Sequence, residues 1–379
     1  MDILVNAFGI SNAGGIRVFD KLLGDLSINN SYNYHVVCNK SLEIDNLIIK
    51  YASLKNIYFI VVVNKGIFYR LFYENFTFRS VIHKKNIQLV YNFSGTYQFF
   101  LDTPQILKIQ NLLFFCKKLD SVYFSRKYYS LWLKQVFLKR LILKYMLKKS
   151  IYIEVQSDHV IDCLSDFVNI KTKDFFVKND FDVSKALFTK PKKYDFSKKI
   201  KFLYIVGPHF ETLHKNFLDF VNSMIYLDNQ GLNFEIDITL TSSQLAQSSI
   251  WDLSLNSKTN FLGYISNNQE INELHCDNVI LISTSVIETL GLHVLEAIRD
   301  GLIVITPNES YADSVYGENV VKYDLFNYGS LQKTIMNIIN YRYSHTDRIL
   351  TIQDDLIKSE TSKYQSNHEI FDRVVSQQK

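Results

Sequence analysis

Short apolar runs alternate along the chain with stretches of helical periodicity. At the start, DILVNAF is an apolar run of strand length, GISNAGGIR is a glycine-bearing turn, and VFDKLLGDL repeats its apolar residues at amphipathic helical spacing. YHVVCN, IYFIVVV and IQLVYNF continue the series between helical or polar segments. Such runs predict the buried strands of a parallel, doubly wound sheet. The pattern restarts near residue 200: KIKFLYIVG, the helical KNFLDFVNSMIYL, then FEIDITL, NFLGYI, NVILIST and LIVITP. Between the halves, FTKPKKYDFSKK is polar, basic and proline-bearing, the composition of a linker. The expected organisation is an α/β domain over 1–183, a linker over 184–197 and a second α/β domain over 198–357, with a cleft between two similar sheets.

Composition narrows this picture. A chain of 379 residues has room for two full cores, and 47% hydrophobic with 21% charged residues is a globular balance. A net charge of +4 is too mild to indicate nucleic acid or a membrane by itself. Cys38, Cys116, Cys163 and Cys276 lie far apart without metal-ligand spacing, which suits a reducing compartment. MDILVNAFG lacks the basic start and long apolar core of a signal peptide, and no stretch reaches the roughly 18 apolar residues of a membrane span. A cytoplasmic protein, soluble or peripheral to the membrane, is expected.

The densest chemistry lies in ETLGLHVLEA, residues 288–297, directly after the run NVILISTS. The carboxyl end of a parallel strand is where open α/β sheets bind ligands. Backbone N–H groups of Leu290, Gly291 and Leu292, leading into a helix, would form an anion site suited to a diphosphate. Glu296, about one turn inside that helix, is placed to accept hydrogen bonds from a ribose diol, and Glu288 to meet sugar hydroxyls. The bland alternative is that Glu288 caps the turn and Glu296 is a solvated helix residue. In VGPHFETLHKN, Lys215 again follows a strand and opens a helix, where an ammonium would stabilise a departing diphosphate; otherwise it is a surface lysine. Gly14 and Gly15 sit between the first strand and helix, where glycine permits close approach of a phosphate or simply makes a tight turn. The pair Asp180 and Asp182 in DFD reads as a turn ahead of the linker rather than a metal site.

In order, GISNAGGIR, VGPHFETLHKN, FLGYIS and STSVIETLGLHVLEAIRDGLIVIT resemble a family 4 glycosyltransferase, and VKNDFDVSKALF resembles the stretch ahead of that family's linker. The resemblance covers most of the chain and is most specific in the second half. It implies the α/β GT-B fold, two Rossmann-like doubly wound domains facing a cleft, with 358–379 crossing back as a helix onto the first. It implies a retaining transfer from a nucleotide-sugar co-substrate, with no metal and no other cofactor. Glu288 would contact the donor sugar and Glu296 the ribose. Lys215, Gly14, Gly15 and the backbone of Leu290 to Leu292 would surround the diphosphate and sugar, and Ile265 would meet the base. Glu288 and Lys215 are the expected catalytic pair.

Two departures qualify the match. The family's arginine after the strand glycine is missing: Gly207 is followed by Pro208 and His209, leaving His209, His214 or Lys215 alone to supply charge. The family's first-domain histidine is replaced by Asn92 and Ser94 in VYNFSG. Two alternatives therefore stay open, a sugar-nucleotide epimerase on the same scaffold and a catalytically weakened nucleotide-sugar-binding partner.

From Ser121 to Ile153 there is no acid, while lysines and arginines accumulate. At helical spacing Arg140, Lys144 and Lys148 share one face, and Trp132, Val136, Leu143, Met146 and Leu147 gather on another. Residues 121–150 read either as a helix on an anionic membrane or as an ordinary amphipathic helix of the first domain. The aromatics do not alternate with the charges, which argues against nucleic acid. A membrane surface would suit a saccharide acceptor linked to polyprenyl diphosphate, as in bacterial surface-polysaccharide assembly.

Overall fold

Two all-parallel sheets organise the chain, and each winds outward in both directions from its own first strand. The computed structural model describes residues 1–377 apart from 11–12, 29–30, 171–172, 182–186, 266–267, 341–344 and 361–365. The first sheet holds β1 (Asp2–Ala7), β2 (Asn33–Asn39), β3 (Ile57–Val62), β4 (Ile87–Asn92), β5 (Gln105–Ile109), β6 (Tyr152–Val155) and β7 (Asp174–Val177), in the order β3-β2-β1-β4-β5-β6-β7. The second holds β8 (Ile200–Tyr204), β9 (Phe234–Ile238), β10 (Thr259–Phe261), β11 (Val279–Ile282), β12 (Ile303–Pro307) and β13 (Val321–Tyr323), in the order β10-β9-β8-β11-β12-β13. The described chain divides into two compact units, residues 1–110, 137–180 and 364–379 in one and residues 111–136 and 181–363 in the other.

In the first unit the central strands are buried on both faces, as their continuous apolar sequences require: Ile3, Leu4, Val5, Val36 and Val37 are fully enclosed. β5 and β6 carry a buried exception. Lys108 lies opposite Glu154 in register, 2.9 Å away, and also reaches Asp180 at 2.9 Å. Gln156 Nε2 donates to the other oxygen of Asp180 at 2.6 Å. Asp180 is thus held inside an ion-pair cluster, and Asp182 lies outside the described residues. The helix Asn367–Ser376 opens with a capping box between Ser366 and Glu369, and buries Ile370, Phe371 and Val374 in this unit. Phe371 sets its ring edge-on to Tyr32 and Tyr91, with centroids 6.4 and 5.3 Å apart.

The second unit recruits segments that composition assigned elsewhere. Residues 111–136, expected in the first domain, place Leu119, Tyr123 and Val136 in the second core with Phe202, Phe220 and Ile236. The described part of the expected linker is also structured. Tyr194 and Phe196 pack against that core, Tyr194 Oη donates to the Val279 carbonyl at 2.8 Å, and the Ile303 N–H donates to Tyr194 Oη at 2.7 Å. Two aromatic rings outweigh the lysines around them. The helix His345–Glu360 stays on this unit through Ile352 and Leu356, so the return to the first unit begins later than residue 358.

Residues 121–150 are not one helix. The helix Lys117–Ser125 ends before Lys127, whose φ of 59° breaks the run. A turn of α-helix at Tyr129–Trp132 and a π-helical turn at Leu133–Phe137 lead into the helix Leu138–Lys149. That last helix keeps Met146 and Leu147 of the expected apolar face buried and Lys148 exposed, but two of the expected basic residues turn inward. Arg140 and Lys144 pack over the Phe167 ring at 4.8 and 5.3 Å, while Leu138, Leu141, Ile142 and Tyr145, at i, i+3, i+4 and i+7, remain 48–54% exposed.

Removing Lys108 takes from the buried Glu154 and Asp180 the ammonium they share, so Lys108→Ala should destabilise the first unit by about 3–5 kcal/mol. Native-state hydrogen exchange should show the loss in β5 and β6 while β8 and β11 keep their protection.

Candidate functional site

Within the second sheet, β8 and β11 are neighbours whose following segments leave in opposite directions, toward β9 and β12. This reversal opens a crevice at the carboxyl ends of the two strands. After β8 the chain passes through exposed Gly207, Pro208 and His209, buries Phe210, and makes a 3-10 turn at Leu213–Lys215. Asn216, at φ 47°, starts the helix Phe217–Asn229, and its amide donates to Asp219 at 2.6 Å. After β11, Ser283 to Val286 stay buried before the turn to the helix Leu292–Arg299.

Hydrogen bonds stitch the two loops together. The Val286 N–H donates to the His214 carbonyl and Thr284 Oγ1 to the Lys215 carbonyl, both at 2.7 Å. Tyr204 Oη meets Thr284 Oγ1 at 2.7 Å, and Tyr311 Oη donates to the Ser285 carbonyl at 2.6 Å. On this frame Lys215 Nζ reaches Glu288 Oε1 at 2.7 Å and Ser285 Oγ at 3.4 Å. The side chains are 28% and 17% exposed, open enough for a ligand and dry enough for the charges to be felt.

Burial alone would raise the Glu288 pKa, but the Lys215 ammonium, assisted by His293 and by hydrogen bonds from Lys215 and Ser285, outweighs it and holds the carboxyl at about 2. Burial and the same ammonium push His214 down to about 4, so it is neutral near pH 7. His214 therefore does not replace the positive charge missing after Gly207. His209 is exposed on the loop.

The turn before the second helix depends on Gly291. Its φ of 60° disfavours a side chain, and a methyl group there would collide with the Tyr316 hydroxyl and lie 3.2 Å from its Cζ. Leu290 is buried beside it, and Gly291 and Leu292 are half-buried at the positive end of the helix. Glu296 is buried at 7% exposure, not solvated, and Glu288 pairs with Lys215 instead of capping the turn. Ile265 follows β10 at the same carboxyl edge. The second unit thus gathers Lys215, Ile265, Glu288, Leu290, Gly291, Leu292 and Glu296 on one side of one sheet. Gly14 and Gly15 belong to the first unit, in the first turn of the helix Ala13–Ser27 after β1. Sequence patterning missed Tyr311 and Tyr316, which brace the β11 loop and the Gly291 turn; isolated tyrosines in SYADSVY carry no periodic signal. The hydroxyl run Ser283 to Ser285 at a strand end was the available clue.

Residues 190–347, which contain all seven second-unit candidates, match the family model of group 1 glycosyl transferases. The matched stretch lies within the second unit. No curated protein matches the chain by sequence. Solved structures resemble it over nearly its whole length at low identity. A glycosyltransferase from Rickettsia africae is 14% identical, covering 98% of this chain and 96% of its own, with a TM-score of 0.61. WaaG, a glycosyltransferase involved in lipopolysaccharide biosynthesis, is 12% identical, covering 96% and 97%, at 0.64. A proposed UDP-N-acetylglucosamine 2-epimerase from Listeria monocytogenes is 11% identical, covering 95% and 96%, at 0.56. The fold is GT-B, two Rossmann-type α/β units.

The Glu288 carboxylate, depressed in the folded protein, contributes stability that is present above its unfolded range and is lost as pH falls toward about 2. In the Lys215→Met variant burial acts without its main opponent. The Glu288 pKa should then rise above its ordinary 4.5 and the acid loss should begin at correspondingly higher pH. Carboxyl carbon NMR titration of both proteins checks this.

Proposed function

We propose that the chain transfers a sugar from a nucleotide-diphosphate donor to a saccharide acceptor linked to a lipid, with retention at the anomeric carbon. The observation that carries this reading is the Lys215–Glu288 contact of 2.7 Å at the switch point of the unit that holds the group 1 glycosyl transferase match. Lys215 binds the donor diphosphate, together with the helix start at Leu290 to Leu292 and the first-unit glycines Gly14 and Gly15. Glu288, released from Lys215 by that competing anion, accepts hydrogen bonds from the donor sugar. Glu296 holds the ribose, and the backbone at Ile265 meets the base.

The reaction breaks the bond between the anomeric carbon and the β-phosphate oxygen and forms a bond from the same carbon to an acceptor oxygen on the same face. The acceptor proton passes to the departing phosphate oxygen. The enzyme contributes orientation and stabilisation of the leaving group, with Lys215 in the place a divalent cation would otherwise take. No cofactor beyond the nucleotide sugar takes part.

The acceptor side rests on the helix Leu138–Lys149. Its exposed stripe of Leu138, Leu141, Ile142 and Tyr145 is flanked by exposed Lys139, Lys148 and Lys149, a combination suited to an anionic membrane surface. No helix among the described residues is long and apolar enough to cross a membrane. A peripheral enzyme on the cytoplasmic face, acting on a polyprenyl-diphosphate-linked saccharide in surface-polysaccharide assembly, fits these features. A second reading, a nucleotide-sugar-binding partner without turnover, draws on the arginine missing after Gly207, which the neutral His214 does not replace. An epimerase is the third, given the structural likeness to the Listeria protein.

A screen of the purified chain against UDP-, GDP- and dTDP-sugars, with and without bacterial lipid extract, separates them. Transfer predicts nucleoside diphosphate release that needs one donor and the lipid and falls about a hundredfold or more in Glu288→Ala. Binding without release supports the partner reading, and an altered sugar on an intact nucleotide supports the epimerase. Membrane attachment has its own test: sedimentation with phosphatidylglycerol vesicles should occur at low salt and be abolished by the double variant Leu141→Glu, Ile142→Glu, whereas equal sedimentation of both proteins would exclude this helix as the attachment site.

A further inference from the structure

The first unit has its own charged pair at its own switch point, and the site described above does not use it. The helix Ile67–Phe72 runs into a π-helical turn at Tyr73–Thr77, and across that junction Arg70 Nε donates to Glu74 Oε1 at 3.0 Å. Glu74 is fully enclosed, while Arg70 is 22% exposed. The pair sits at the carboxyl ends of β1 and β4, the two neighbours from which the first sheet winds outward in opposite directions. Asn6, at the end of β1, donates to Glu74 at 3.0 Å and to Asn92, at the end of β4, at 3.4 Å. Asn92 in turn donates to Gln105, the first residue of β5, at 3.0 Å, so buried amides link β1, β4 and β5 to the carboxylate.

Every part of this arrangement fixes the guanidinium. Nε is taken by Glu74, and Nη2 donates to Ser94 Oγ at 3.2 Å and to Thr96 Oγ1. Nη1 has no acceptor among the described residues. The guanidinium lies flat against Gly9, where a methyl group would stand 2.5 Å from Cζ and 2.6 Å from Nη2. A guanidinium locked on two of its nitrogens, with the third edge undedicated and the group partly open to solvent, is a preorganised receptor for a planar or tetrahedral oxyanion. A purely structural ion pair would not need a glycine to admit the flat face, nor hydroxyls to hold the outer nitrogen.

We propose that Arg70, oriented by Glu74, Ser94 and Thr96, is an anion-binding residue of the first unit that recognises a phosphate group of one of the two substrates. This rests on the transferase reading for the identity of the substrates, not for the anion site itself. The phosphate comes from the donor diphosphate or from the lipid-linked acceptor, and the experiment distinguishes the two.

Inorganic phosphate is titrated by calorimetry into the full chain carrying Lys215→Met, which removes the cation of the second unit, and then into the same chain with Arg70→Gln added. The dissociation constant should rise about tenfold or more. Because Arg70→Gln strips Glu74 of its counter-charge, Gly9→Ala serves as the second variant. It keeps both charges, displaces the guanidinium and should weaken phosphate similarly. UDP and GDP are then titrated into chains with Lys215 intact. A matching loss of nucleotide affinity in the Arg70 and Gly9 variants assigns the donor diphosphate, and unchanged nucleotide affinity with weakened phosphate assigns the acceptor. Equal phosphate binding with and without either substitution, in folded protein, overturns the proposal. A donor screen that yields no release while phosphate still binds at Arg70 defeats the transferase reading alone.

Discussion

The direction of winding is the constraint on which the rest depends. A parallel strand must be joined to the next by a crossover that passes over a face of the sheet, and that crossover is right-handed. A sheet built to both sides of its first strand therefore sends its crossovers to opposite faces, and the loops after the two central strands part. In the second unit the parted loops themselves hold a cation and a carboxylate, Lys215 beyond β8 and Glu288 beyond β11; in the first, the crossover from β3 to β4 brings Arg70 and Glu74 to the ends of β1 and β4. The backbone geometry creates the gap, and the residues that line it are free to be polar because no strand pairs across it.

The two pairs differ in how they divide exposure. Lys215 and Glu288 are both partly open, so an anion arriving at Lys215 competes with a carboxylate that can turn to another partner. Glu74 is fully enclosed and has nowhere to turn, so its role is to aim Arg70. Leaving a buried charge unpaired is costly, which makes the second arrangement rigid and the first exchangeable. His214 belongs to the same balance. Burial and the neighbouring ammonium keep it neutral, so it adds no positive charge beside Lys215.

The central strands of both sheets were legible from their apolar runs, as was the loop from Glu288 to Glu296, because a strand end, a glycine and a helix start fall in one short window. β5 and β6 were not, and the reason is Lys108 and Glu154. Each interrupts an apolar run with a charge, and only their pairing in register makes either strand acceptable inside the sheet. Composition misled at residues 187–197, where the lysines suggested a linker while Tyr194 hydrogen-bonds two strands of the second sheet. Arg70 and Glu74 were hidden by their surroundings. In IFYRLFYENF the charges are spaced four apart among aromatics, a pattern shared by countless surface helices, and only the fold brings them to the ends of β1 and β4.

The recruitment of residues 111–136 by the second unit has a spectroscopic consequence. The chain has two tryptophans, Trp132 and Trp251, and both belong to that unit. Trp132 donates its indole N–H to Asp120 at 2.7 Å, and Trp251 lies nearly parallel to Phe217, with centroids 6.1 Å apart and an interplanar angle of 10°. Phe217 begins the helix that follows Lys215 and Asn216. The intrinsic indole emission of this protein is therefore a label confined to one half of the molecule, with one fluorophore stacked on the first residue of the helix that follows the lysine. The tyrosine-rich first unit is silent in that channel, so the two halves can be followed separately without adding a probe.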